Sequence, residues 1–183
     1  MFVDAFNRLF YVKNTEWKEK VFYAIHYSLC IMNYALFKKG LEDMGDFDEI
    51  KKKMIEENEK NYGAEIKEEY GEEVYEATNN ILSGLTEEKW LKSEQLRAKA
   101  EKLLAKLAPE GKPESEEALE MAKLHGEWAR LFWADGVYSP EAHLALVKMY
   151  TEDERFTAYY ENIAKGGAAF LRKAVENYCD QLV

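Results

Sequence analysis

Proline, cysteine and histidine are scarce in this chain: 3, 2 and 3 in 183 residues. Cys30 and Cys179 stand far apart, neither belongs to a CxxC pair, and no signal-peptide pattern precedes them. Lone cysteines of this kind give no disulfide framework and suit a reducing cytoplasm, where they serve as buried small hydrophobes. Turn-forming residues are few beside long Lys/Glu/Ala/Leu stretches, which disfavours an all-β fold. A Gly-rich phosphate loop, a nucleophile elbow and an HExxH pattern are all missing, which removes the enzyme classes they mark. Positive charge is also short, with 25 Lys and Arg against 35 Asp and Glu for a net charge of -10. The deficit is uneven: residues 1–45 hold 6 basic and 5 acidic residues, leaving 19 and 30 for the remainder. A chain that grips phosphate backbones needs a basic face, so direct nucleic-acid binding is not expected.

The longest apolar run, Val21–Phe37, is VFYAIHYSLCIMNYALF. It falls short of the roughly 20 apolar residues that a membrane-spanning helix needs, and His26, Ser28 and Asn33 interrupt it. Trp17, Val21, Ile25, Leu29, Met32 and Leu36 recur at i+4 and i+3 spacing, which predicts a buried or partner-facing helix and makes a homodimer contact a natural use for it.

What is present is helical material with an ample core. The composition is 47% apolar and 14% aromatic, far more aromatic surface than a solvated tail carries. Asp46 with Glu49 has capping-box spacing ahead of the stripe Phe47, Ile50, Met54, Asn58, Tyr62 and Ile66. Gly71 breaks the pattern, a helix follows from Glu72 to near Leu82, and Ser83-Gly84 ends it. Thr86 opens a long helix through Trp90, Leu96, Leu103, Leu104 and Leu107. Pro109–Pro113 reads as a loop and Ser115 as the next start. Asp135-Gly136 reads as a stop, and Ser139-Pro140 pairs an N-cap with a proline at the first helical position. Thr151 with Glu154 has the spacing of another capping box, and Gly166-Gly167 precedes a final apolar helix through Phe170, Leu171, Ala174, Val175 and Tyr178. The prediction is an all-α fold, a single compact bundle of about eight helices with short connections and an apolar N-terminal helix.

Most carboxylates lie in runs such as EIKEEYGEE, which read as solvated helix faces, and no catalytic pair stands out. His125 shares a helix face with Trp128 and Phe132 at i+3 and i+7, and His143 shares one with Leu146, Val147 and Tyr150. Core packing with a buried hydrogen bond, or the lining of a ligand cleft, suits the two histidines better than a metal, because neither has a second ligand at local spacing. Trp128, Phe132, Trp133, Tyr138, Tyr150, Phe156, Tyr159 and Tyr160 crowd into residues 128–160. That surplus of rings with polar tips hints at a pocket for a large apolar or aromatic ligand.

The stretches YGEEVYEATNNILSGLTEEKW, SEEALEMAKLHGEW and YSPEAHLALVKMYTEDERFTAYYENIAKGGAAFLRKAVENY make the chain resemble a known family. From about Asp46 onward it is similar to the TipAS-type antibiotic-recognition domain, the effector-binding half of certain MerR-family transcription activators. The resemblance implies a globin-like helix arrangement and no enzymatic activity, cofactor or metal. It further implies a cleft for bulky hydrophobic, macrocyclic or peptide-derived antibiotics. The chain then divides into an N-terminal extension, 1–45, and a ligand-recognition domain, 46–183. Residues 1–45 are too few for the family's DNA-binding domain and lack its basic recognition helix, so the expectation is a cytoplasmic, stand-alone drug-sequestering domain or the effector-sensing part of a regulator. The rival expectation is an interaction module working through Val21–Phe37, with the aromatic cluster purely structural. Relatives that capture a ligand covalently use a cysteine two residues after the histidine of EAH, a position held here by Ala145. The expected ligand-binding set is His125, Trp128, Phe132, Trp133, Tyr138, His143, Leu146, Tyr150, Phe156 and Tyr160, with the Lys/Glu-rich helix Asp46–Ile66 as a lid.

Overall fold

The computed structural model describes residues 47–132 and 138–182. The Val21–Phe37 run, the Asp46 cap, Trp133 and the Asp135-Gly136 stop therefore lie outside the described residues. Among those described, all regular structure is helical. The chain divides into two compact units, one reaching Glu87 and the other starting at Glu88.

In the first unit, α1 (Phe47–Asn58) passes through a π-helical turn, Glu59–Gly63, into α2 (Ala64–Tyr70), and Gly71 separates α2 from α3 (Glu72–Ser83). The apolar stripe explains the π turn. Its members Ile50, Met54, Asn58, Tyr62 and Ile66 are spaced by four, whereas an α-helix repeats every 3.6 residues and would rotate such a stripe away from its neighbour. The wider turn absorbs that drift, and Met54, Asn58 and Ile66 are all buried. Gly71 adopts φ 91°, ψ 160°, a conformation that a side chain would oppose, and lets the chain re-enter a helix at once. Helix α3 packs against α1 and α2 through a face that buries Val74, Ala77, Thr78 and Leu82.

The second unit takes in α4 (Glu87–Leu107) beyond its first residue, then α5 (Glu116–Arg130), α6 (Pro140–Glu152), α7 (Glu154–Ile163) and α8 (Gly167–Asp180). The N-termini of α5 and α6 start where the sequence says they should. Ser115 Oγ accepts a hydrogen bond from the Ala118 N–H, and Ser139 Oγ accepts one from the Ala142 N–H. Such caps contribute about 1 kcal/mol each. Thr151 is a correction: its spacing to Glu154 suggests a cap, yet α6 runs on to Glu152 and the Thr151 hydroxyl donates to the Lys148 carbonyl of its own helix. Asp153 caps α7 instead, accepting from the Arg155 N–H at 2.8 Å. Helix α8 carries Ala168, Phe170, Leu171, Ala174, Val175 and Cys179 inward and packs against α5, α6 and α7, so it forms the centre of this unit.

Candidate ligand-recognition site

The inner faces of α5, α6 and α7 meet in one cluster of rings. Helical phase puts His125 and Trp128 on the buried side of α5, with Phe132 just beyond its end. It puts His143, Leu146 and Tyr150 on the buried side of α6, and Phe156 and Tyr160 on that of α7. His125 links the branches: its ring lies 5.6 Å from Trp128 and 5.7 Å, edge-on, from Tyr150. Trp128 continues to Phe132 at 5.9 Å, and Tyr150 to Phe156 at 5.2 Å and Tyr160 at 5.0 Å. Leu146 is fully buried on the same α6 face. The structure thus gathers the described members of the expected set into one neighbourhood. It places them in the interior, with only Tyr138 half-buried.

The polar atoms form a chain inside this apolar setting. Tyr138 Oη lies 2.9 Å from His143 Nδ1, and His143 Nε2 lies 2.8 Å from His125 Nδ1. The two imidazoles are nearly coplanar, at 7° with centroids 5.1 Å apart, so they meet edge to edge. The chain ends at His125 Nε2, which is sealed from solvent and has no hydrogen-bond partner. Leaving such an atom unpaired costs about 1–3 kcal/mol. Burial pushes the His125 pKa down to about 3, which keeps the ring neutral. Tyr138 is pushed up to about 12 by burial, with Arg130 pulling the other way. The Arg130 guanidinium stacks 3.8 Å from the centre of the Tyr138 ring.

Sequence reasoning missed three parts of this neighbourhood. Gly126 is the first: a Cβ there would lie 2.8 Å from Tyr138 Oη and 3.1 Å from His143 Cε1, so only glycine lets the Tyr–His chain lie against α5. The signal was a glycine in mid-helix, directly after His125, at a helix-propensity cost of about 1 kcal/mol. The second is Arg130. The third is a half-buried bolt between α4 and α7, in which Arg97 donates to Glu94 at 2.5 Å and to Glu101 at 2.8 Å. Tyr159 O–H donates to Glu101 in turn. Burial works against the Arg97 charge, but the Glu94 hydrogen bond and the Glu101 charge outweigh it and raise the pKa. A partner 62 residues away leaves no mark on local sequence pattern.

No group of three or more potential metal ligands occurs among the described residues. Cys179 is buried, and burial pushes its thiol up to about 11, far from a reactive thiolate. Ala145, two residues after His143, is half-buried on α6 and offers no nucleophile.

The buried histidine makes stability depend on pH. Folded His125 is neutral, whereas the unfolded ring takes up a proton near its ordinary 6.5. The unfolded state therefore binds more protons between pH 6.5 and about 3, and stability is lost as pH falls through that window. Urea unfolding should show a loss of about 2 kcal/mol between pH 7 and pH 5, before most carboxylates titrate. The loss should flatten in His125→Asn, and an equal loss in that variant would assign the effect to other groups.

These residues define an all-α domain with a buried aromatic and histidine cluster. The family model of the TipAS antibiotic-recognition domain matches residues 62–178, and the chain belongs to that family. The chain is 27% identical over 134 residues to the HTH-type transcriptional activator mta of Bacillus subtilis, covering 73% of this chain and 51% of that protein. It is 28% identical over 140 residues to the HTH-type transcriptional activator TipA of Streptomyces coelicolor, covering 75% and 51%. The TipA of Streptomyces lividans matches equally, at 28% over 140 residues. The chain spans about half the length of these curated relatives. No solved structure matches it significantly. The matched module recognises effectors and performs no catalysis, so this chain is a binding domain and not an enzyme.

Proposed function

We propose that the chain binds a bulky hydrophobic or macrocyclic antibiotic-like molecule through the ring cluster of α5, α6 and α7. It does so without covalent capture, as the effector-sensing part of a transcription regulator or as a sequestering domain in the cytoplasm. The observation that carries this reading is the span of the family match: residues 62–178 contain every ring of the cluster from His125 to Tyr160. Rings with polar tips, arranged around a hydrogen-bonded histidine pair, can bury apolar ligand surface and still orient it. Among the described residues no helix is long and apolar enough to cross a membrane. On this reading Val21–Phe37 supplies a homodimer contact.

A thermal-shift screen of the full chain against macrocyclic and aromatic antibiotics, thiopeptides included, tests the proposal. A ligand at 100 times its Kd adds about 2.7 kcal/mol, which should raise Tm by roughly 5–10 °C in a protein of this size. A panel that leaves Tm unmoved throughout would overturn it.

A further inference from the structure

His125 Nε2 is the one imidazole nitrogen of the described His pair that is buried and unbonded, and what it can contact depends on where its proton sits. A neutral imidazole has one donor and one acceptor nitrogen, so the chain Tyr138–His143–His125 has two consistent proton arrangements. In the first, Tyr138 O–H donates to His143 Nδ1, His143 Nε2–H donates to His125 Nδ1, and His125 Nε2 carries a proton to give. In the second every bond is reversed, and His125 Nε2 is a bare lone pair. Arg130 breaks this symmetry. A guanidinium stacked 3.8 Å from the phenol ring favours a hydroxyl that gives its proton over one that receives another. The cation draws the phenol toward ionisation, against the opposing effect of burial.

We propose that Arg130, Tyr138, His143 and His125 form a polarised relay whose buried end, His125 Nε2–H, is a hydrogen-bond donor that recognises a neutral acceptor, a carbonyl or amide oxygen, on an aromatic ligand. This rests on the ligand-binding role proposed above and adds the polarity of the group that is read. A carboxylate is disfavoured, because a neutral imidazole leaves a buried charge uncompensated. Gly126 is the positioning residue, since any side chain there displaces Tyr138 Oη or His143. Because Nε2 is sealed, binding requires local opening, and association is slower than for a preformed site.

The relay is tested on the free full-length chain by long-range 1H–15N spectra with labelled histidine. His125 and His143 are both expected as Nε2–H tautomers, with Tyr138→Phe shifting His125 toward a mixture. An Nδ1–H tautomer at His125 in the wild type would overturn the relay. The reader is tested with three tricyclic probes of one shape: fluorenone offers an acceptor, carbazole a donor and fluorene neither. Fluorenone is expected to bind about five- to tenfold more tightly than fluorene, carbazole no more tightly than fluorene, and the preference should shrink in Tyr138→Phe. Equal affinities, or a preference for carbazole, would overturn the donor while leaving the aromatic site in place. Binding of none of the three, in a protein that shifts with the antibiotic panel, overturns the reader alone. With no shift on the panel either, both readings fall.

Discussion

Gly167→Ala is expected to destabilise the protein by about 3 kcal/mol, the upper end of the usual overpacking range. Gly167 opens α8 directly after a left-handed Gly166, and its N–H donates to the Ala164 carbonyl at 2.9 Å in a tight reversal from α7. A Cβ on residue 167 would sit 2.5 Å from the Tyr160 carbonyl oxygen and 3.2 Å from its carbon. Both are backbone atoms, so no rotamer change relieves the contact and the two helices must separate. That motion reaches the candidate site, because the Tyr160 ring lies 5.0 Å from Tyr150. Gly111 is the contrast: its φ of 67° also favours glycine, but nothing lies within 4 Å of its would-be Cβ. Urea unfolding of Gly167→Ala reads the cost, and a loss under about 1 kcal/mol would refute the close approach.

Phe156→Ala is expected to cost about 3–5 kcal/mol, the cost of losing a buried ring and leaving a cavity. Phe156 is fully buried and packs on Tyr150, which packs on both His125 and Tyr160. In a chain of this length, a Tm lowered by about 10 °C is the expected reading. A fall of less than about 3 °C would mean that the cluster is looser than its geometry implies. The same burial limits how the site can be tested. Trp128 is 4% exposed and His143 fully buried, so alanine at either position confounds binding with folding. Tyr138→Phe keeps the packing and removes one hydroxyl, and Trp128→Phe removes far less buried volume than alanine would.

Most helix boundaries were legible because they depend on local chemistry. Ser115 and Ser139-Pro140 need only their own side chains and the next turn, and Gly71 and Gly166 supply backbone angles that few residues tolerate. The face shared by His125, Trp128 and Phe132, and that shared by His143, Leu146 and Tyr150, followed from helical phase. Phase says which residues point inward and not which partner they meet. The bond between His125 and His143 joins residues 18 apart on different helices, and the Arg97–Tyr159 contact joins residues 62 apart. Thr151 misled because two oxygen side chains compete within three residues; Thr151 bonds to its own helix, and Asp153 takes the cap. The π turn was written in a spacing of four where 3.6 was assumed.

Tryptophan emission, titrated with an antibiotic that raises Tm, tests most directly whether the cluster is the binding site. Trp128 stands 5.6 Å from His125, at the centre of the proposed contacts. In the wild type a saturable change in emission is expected at the same concentrations that raise Tm. In Trp128→Phe that change should shrink measurably although the protein remains folded, the remainder being reported by Trp133 of the expected set. An identical change in both proteins would place the ligand elsewhere and contradict the assignment of the cluster as the site.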